Sequence, residues 1–278
     1  MNNDIFSKLR VSVAGRMFYH LFPLRKQIVL DNIERVFKDR VNGKEKARLA
    51  KAFYSHFALT VKELIAMSWI SPKRLESLID IRGKEHLLDA VNQGRGCLML
   101  TGHLGNWELG LLGIAYHLMP LVGPVCVIRR PIKQKWLERK VFQRMQRWGI
   151  KRIDKSGAIL KVHRALKAKE TIIFTIDQHA QIKKNEGLAV DFFGSKAGTY
   201  KSLALIAGSS KAPVVPAVIY RENHKHILEF LPALAWADGE EHEDSIYLNT
   251  LRYNQILEQM ILQHPEQWWW AHRRWKEG

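Results

Sequence analysis

The sequence predicts an α/β fold in which a mostly parallel central sheet is flanked by helices and preceded by an N-terminal helical region. Three observations lead there. Residues 1 to 80 carry only helical apolar periodicity, whereas from about 80 onward short apolar runs alternate with helical patterns. The short runs are nearly continuous in apolar residues, as strands buried on both faces must be. With 278 residues and 46% hydrophobic content, the chain can bury a sizeable core as one domain, divided into a helical region 1–80 and an α/β core 81–278.

In chain order, Ile5, Phe6, Leu9, Val13, Met17, Phe18, Leu21 and Phe22 alternate with Lys8, Arg10 and Arg16, an amphipathic pattern suited to core packing or to a membrane interface. Arg10 and Arg16 break any apolar run of signal-peptide type. Further helical periodicity covers Ile28 to Phe37 and Leu49 to Trp69, and Ser71-Pro72 starts another helix through a serine cap and a proline in the first turn. The expected strands are Cys97–Thr101, Val122–Ile128, Thr171–Ile176, Val214–Tyr220 and Ile227–Leu231. Helical patterns near 106–119, 133–148, 157–168 and 199–210 separate them, and Tyr247 to Gln263 forms a last helix after an acidic loop, Ala237 to Asp244. Leu109 to Ile128 holds no charged side chain over twenty residues, but Pro120, Pro124 and His117 interrupt it, so it is expected to be a helix followed by a strand and not a membrane span. Cys97 and Cys126 fall in the apolar runs and read as buried thiols of a reducing compartment, with neither a disulfide nor a zinc site.

Chemistry concentrates in Thr101-Gly102-His103-Leu104-Gly105-Asn106-Trp107-Glu108. Two residues five positions apart on one helix point about 140° away from each other. A strand ending at Thr101, a bend over Gly102 to Gly105 and a helix from Asn106 would instead carry the imidazole back over the first helical turn, where Glu108 could pair with it. The carboxylate would hold one ring nitrogen protonated and leave the other to accept a proton. Asp177-Gln178-His179 follows the strand Thr171–Ile176, a position from which polar residues often face the ligand crevice of an open α/β sheet. The sequence offers no cofactor motif.

The formal charge of +17 implies a polyanionic partner. Arg129 to Lys169 holds fifteen Lys/Arg against Glu138 and Asp154, a local net of +13, and includes Arg130 and Arg144. Pro265 to Lys276 places four tryptophans beside basic residues, either as a core-docking tail or as a belt at lipid headgroups. A nucleic-acid role is disfavoured, since no such module is present and the basic segment lacks the interleaved aromatics of a stacking platform.

These segments together resemble the bacterial lipid A biosynthesis acyltransferase family. The resemblance spans most of the chain. It is carried by His103-Leu104-Gly105-Asn106-Trp107-Glu108, Arg130-Pro131, the Arg144 to Gly149 region, the Asp177 segment, Phe192-Phe193-Gly194 with Thr199, and the closing Pro-Glu-Gln-Trp-x-Trp-x-His-Arg-Arg-x-Lys. It implies a glycerolipid-acyltransferase-like fold. The implied reaction moves a fatty acyl chain from an acyl carrier protein thioester to a hydroxyl of a membrane glycolipid, a lipid A precursor or a related lipid. On that analogy His103 is the catalytic base and Glu108 its acidic partner, Asn106, Arg130, Arg144 and Asp177 contact substrate, and no metal takes part. Oxyanion donors would come from N–H groups of the Gly102–Gly105 bend or from Arg130 or Arg144. Many members open with a membrane-spanning helix that is not evident here. Peripheral attachment to the anionic cytoplasmic face of the bacterial inner membrane is therefore expected, through the N-terminal helix, the tail or the basic face. An acyl-CoA-dependent lysophospholipid acyltransferase is the rival reading.

Overall fold

The computed structural model describes residues 4–21, 24–129, 134–154 and 157–276, with the side chains of Asp4 and Leu137 also left aside. The chain opens with α1 (Asp4–Lys8), α2 (Val13–Leu21), α3 (Lys26–Phe37) and α4 (Gly43–Ala66). Asn42 and Glu45 form a reciprocal capping box at the start of α4, each side chain taking the other's backbone N–H at 3.0 Å. Ser71 caps α5 (Pro72–Leu78), where the sequence places a helix start, and β1 (Ile79–Arg82) and α6 (Lys84–Asn92) follow.

The site-bearing part begins with β2 (Cys97–Thr101) and α7 (Trp107–Gly113). A π-helical turn at Ile114–Leu118 precedes α8 (Met119–Val122), and Gly123 turns the chain at φ 73°. The next strand, β3 (Val125–Arg129), accordingly starts later than the apolar run suggests. Then come α9 (Lys135–Arg147), β4 (Lys151–Asp154), α10 (Ala158–Lys167), β5 (Thr171–Thr175), β6 (Gly187–Phe192) and β7 (Ser195–Tyr200). The chain closes with α11 (Ser202–Ser210), β8 (Val214–Glu222), β9 (Lys225–Phe230) and α12 (His242–Gln263).

Seven strands form one sheet in the order β1-β9-β8-β2-β5-β3-β4, and β6 and β7 pair separately. Every neighbour in the large sheet is parallel except β8 with β9. Alternation along β2 serves both faces: Leu98 and Leu100 enter the core shared with α3, α4, α12 and the tail, while Cys97 and Met99 enter the core under α5 to α8. Strands β1 and β4 and the β6–β7 hairpin are additions to the expected set. The first two are short edge strands with charged residues, Ile-Asp-Ile-Arg and Lys-Arg-Ile-Asp, whose composition resembles solvated surface. The hairpin turns on Phe193 and Gly194, both at positive φ, the geometry whose twist matches a two-residue connection. From β2 the chain crosses to β3, returns through β4 to β5 on one flank of β2, and later adds β8 on the other. The carboxyl ends of β2 and β5 therefore lie where an open sheet places its crevice.

Candidate active site

Parallel register builds the centre of the site. Thr101 of β2 lies opposite Thr175 of β5, and the ladder extends one step further as Ile176 N–H donates to Thr101 O at 3.0 Å. Two residues beyond each strand stand His103 and Asp177, which the register therefore brings side by side. His103 Nδ1 lies 2.7 Å from Asp177 Oδ1, and the His103 backbone N–H donates to Asp177 Oδ2 at 2.7 Å. Trp268 Nε1–H, from the C-terminal tail, also donates to Oδ2, at 3.0 Å. A carboxylate facing N–H donors accepts from all of them only when ionised, so the His103 proton sits on Nδ1. Nε2 is then the ring nitrogen left to the cavity that His103 lines.

Two glycines make this approach possible. A side chain at Gly102 would start 2.7 Å from Leu257 Cδ1 and 3.3 Å from Asp177 Oδ2. At Gly105, with φ +55°, a Cβ would sit 2.3 Å from the Ile219 carbonyl oxygen. The tail clamps the bend from the other side. Trp269 N–H donates to His103 O at 2.9 Å and Gly105 N–H to Gln267 O at 3.0 Å, around an antiparallel bridge of Leu104 with Trp268. Arg274, fully buried, ties the same tail to the Asp177 loop and to the hairpin, donating to Gly198 O at 2.6 Å, Gln178 O at 3.3 Å and Thr199 Oγ1 at 2.7 Å. The Trp-rich segment is thus a core-docking tail and not a lipid belt, with Trp268 and Trp270 wholly buried.

Burial alone would lower the basicity of His103. The Asp177 charge and hydrogen bond, with the Glu108 charge added, reverse that and hold the imidazole above the ordinary histidine value. Burial would raise Asp177, but His103 and His272 beside it and the hydrogen bonds from His103 keep its carboxyl well below the usual range. His103, Asp177 and His272 place one ligand atom each within 4.8 Å of one another. Both Asp177 oxygens already accept N–H groups, so the trio is arranged as a proton-holding cluster and not as an open cation cage.

A cavity of about 970 Å³ opens on His103. On one sheet face its wall is apolar, with Met99, Leu111, Ile114, Ile173, Ala217 and Ile219. Towards the other face it is mixed, with Gln178, His179, Asn185, Tyr200 and Lys201 beside Leu203 and Ile206.

The sequence-predicted residues distribute unevenly around this centre. Glu108, in the first turn of α7, lines the cavity, but the carboxylate on the imidazole is Asp177, so the expected His103–Glu108 pairing is replaced by a pairing across the sheet. Asp177 is fully buried behind His103 and is not placed to touch substrate. Asn106 is also buried: its Oδ1 caps α7 through Leu109 N–H at 3.1 Å and its Nδ2 donates to Glu63 Oε2 at 2.9 Å, leaving a structural role in place of substrate contact. Glu63 is itself gripped by Arg221 at 2.5 and 2.8 Å and by His226 at 3.2 Å, hydrogen bonds that outweigh its burial and keep it ionised. Arg144 is half-buried on α9 and absent from the cavity wall, where Arg129 stands instead, paired with Glu138 at 3.1 Å. Arg130 lies outside the described residues. Of the bend, the N–H groups of His103, Leu104 and Gly105 are engaged by Asp177, Gly102 and Gln267, so they are not free to serve as oxyanion donors. Sequence reasoning missed His272 and the Arg274 anchor, although the closing His-Arg-Arg signalled both.

An imidazole pinned at Nδ1 by a buried carboxylate, beside a cavity with one apolar and one mixed wall, can take a proton from a hydroxyl that attacks a carbonyl held there. Known proteins of similar sequence are acyltransferases. The chain is 25% identical over 277 residues to the lipid A biosynthesis palmitoleoyltransferase of Escherichia coli K12, covering 98% of this chain and 84% of the relative. Similarity to the lipid A biosynthesis lauroyltransferase of the same organism is 26% over 269 residues, covering 94% and 82%. A phosphatidylinositol mannoside acyltransferase of Mycolicibacterium smegmatis is 23% identical over 206 residues, covering 72% and 66%. Among solved structures, the 1-acyl-sn-glycerophosphate acyltransferase of Thermotoga maritima superposes with a TM-score of 0.40 at 14% identity, covering 95% of this chain and 99% of that one. The family model for bacterial lipid A biosynthesis acyltransferases matches residues 3–277, and the chain belongs to that family of O-acyltransferases.

Proposed function

We propose that this protein transfers a fatty acyl chain from an acyl carrier protein thioester to a hydroxyl of a membrane glycolipid, a lipid A precursor or a related lipid, at the cytoplasmic face of the inner membrane. The observation that carries this reading is His103, pinned by Asp177 and lining a cavity with one apolar and one mixed wall. An acyl chain suits the wall of Met99, Leu111, Ile114 and Ile219, and a hydroxyl-rich headgroup suits Gln178, His179, Asn185 and Lys201. His103 Nε2 takes the hydroxyl proton as the oxygen attacks the thioester carbonyl, the C–S bond breaks, and the imidazolium returns the proton to the departing thiolate, which leaves with the carrier as a thiol. Asp177 orients the ring, and Glu108 adds negative charge that favours the imidazolium. No acyl-enzyme is needed, because the proton acceptor and the two substrates suffice for direct transfer.

Attachment to the membrane is supported by the N-terminal helices. Val13 is 75% exposed, Met17 50% and Leu21 64%, with exposed Arg10 and Arg16 beside them, an apolar and cationic combination suited to an anionic bilayer surface. No helix among the described residues is long and apolar enough to cross a membrane. The basic face of α9 suits an acidic carrier protein.

The test is acyl transfer from carrier-protein and coenzyme A thioesters to glycolipid acceptors, with wild type and His103→Ala. Transfer preferring the carrier-protein thioester and abolished by His103→Ala is expected; undiminished transfer in that variant refutes the assignment. Cells lacking the protein should accumulate a glycolipid lighter by one acyl group on mass spectrometry.

A further inference from the structure

The closing segment brings a second histidine to the base. His272 Nε2 lies 3.1 Å from His103 Nδ1 and 3.7 Å from Asp177 Oδ2, with the two imidazole centroids 4.8 Å apart. Its backbone is fixed: Asn32 Nδ2 donates to His272 O at 2.7 Å, and Arg25 donates to the preceding carbonyl, Ala271 O, at 3.0 Å. The proposed transfer step has no use for this residue so far.

Proton placement decides what the contact is. His103 Nδ1 must carry the hydrogen that Asp177 accepts, so a second N–H on His272 Nε2 would face that hydrogen head-on. The contact is favourable only if Nε2 of His272 presents its lone pair, which makes His272 neutral with its proton on Nδ1. The groups around it support neutrality. Burial disfavours a charge, His103, Arg274 and Arg25 disfavour a cation, and Asp177 alone favours one, leaving the ring lowered to about 4.

We propose that His272 is a positioning residue for the base: its Nε2 lone pair shares the His103 Nδ1–H with Asp177, locking the tautomer that opens His103 Nε2 to the cavity. During transfer the acceptor O–H bond breaks, its proton goes to His103 Nε2, and its electron pair forms the new bond to the thioester carbon; the C–S bond then breaks, and the thiolate takes the proton from His103 Nε2. His272 gains and loses no proton; it stabilises the imidazolium through the shared hydrogen. This role rests on His103 acting as the base.

Nitrogen-15 NMR of histidine-labelled full-length protein at neutral pH reads the tautomers directly. A protonated Nδ1 and a bare Nε2 on His272 are expected, and an Nε2–H tautomer overturns the proposal whatever the enzyme's activity. In kinetics, His272→Phe keeps the ring but not the lone pair. It should lower kcat by about tenfold with KM little changed. The acid limb of its pH profile should move to lower pH, because the imidazolium loses an acceptor. His272→Gln, whose amide oxygen can stand near the Nε2 position, should recover most of both. A wild-type rate and profile in His272→Phe, or a folded His272→Gln no better than His272→Phe, overturns the role. Transfer that survives His103→Ala would instead sink the base assignment and leave the tautomer measurement intact.

Discussion

Asp177→Asn tests the site most sharply, because the two side chains share a shape and differ in what they can accept. The native carboxylate accepts three N–H groups: the His103 backbone and Trp268 Nε1 on Oδ2, and His103 Nδ1 on Oδ1. An asparagine has one oxygen. With that oxygen kept where two donors converge, its NH₂ faces His103 Nδ1 at the shorter of that nitrogen's two contacts, and the ring relieves the clash by moving its proton to Nε2, giving up the hydrogen shared with His272. The lone pair then points at the substituted amide and no longer at the cavity, so the base is lost although the fold is kept. A tautomer reversal of this kind costs on the order of 10⁴ in kcat in a serine protease triad, or about 5.5 kcal/mol of transition-state stabilisation. Lost charge-assisted hydrogen bonds should cost only about 1–3 kcal/mol of stability. Single-turnover acyl transfer measured alongside urea denaturation separates the two effects. A folded Asp177→Asn enzyme with kcat within about tenfold of wild type would refute the register-built pairing as the source of the base.

Other consequences follow from the same geometry. Gly105→Ala forces a Cβ to within 2.3 Å of Ile219 O at a positive φ, so the urea midpoint should fall by an amount equivalent to about 2–4 kcal/mol, with activity falling in parallel. Arg221→Met strips the bidentate partner from Glu63, whose side chain is 27% exposed against 18% for Arg221, and should destabilise by about 3 kcal/mol in the same assay. The His264 ring, stacked on Tyr220 with centroids 3.9 Å apart, and His56 are each lowered by burial to about 4. The unfolded chain therefore binds more protons between pH 6.5 and 4, so stability is full above this window and falls through it. The slope should approach about 1.4 kcal/mol per pH unit for each histidine, with His272, also lowered to about 4, adding a third; His103, whose raised value has the other sign, acts above pH 6.5, where its contribution fades as pH rises. Melting temperatures recorded from pH 7 to 4 check this, and a flat profile would contradict it.

Much of the fold was legible because parallel strands buried on both faces announce themselves as apolar runs. Cys97–Thr101 and the Thr171 strand needed nothing beyond composition and length. β4 was illegible for the converse reason, since Lys151-Arg152-Ile153-Asp154 is a charged edge strand in which Ile153 alone is buried. At the site, His103 was legible from its bend of glycines. Its partner was not, because proximity in sequence favours Glu108 while proximity in space is set by the register of β2 against β5, a pairing of residues 74 positions apart. Asp177 was visible as a polar residue at a strand end; what it touches depends on strand order, which no local pattern encodes. Likewise His272 and Trp268 reach the base only because the tail folds back beneath α3 and α4.

That construction explains how the site can favour a transition state over its ground state. In the resting protein Asp177 is a fully buried anion held by N–H dipoles and, among the described residues, by no direct Lys or Arg contact, with Arg274 of the tail donating to Gln178 O in the loop that follows it. Its charge is incompletely compensated while His103 is neutral. When His103 takes the hydroxyl proton, a full cation appears 2.7 Å from that carboxylate, in surroundings too dry to screen the attraction. The interaction strengthens only as the reaction proceeds, which is the condition for lowering a barrier and not merely for tightening binding. The cost of holding the anion beforehand falls on folding, through the tail, the two glycines and the Arg274 anchor. Residues far from the cavity, such as Trp268, should therefore influence kcat through Asp177 before they influence KM.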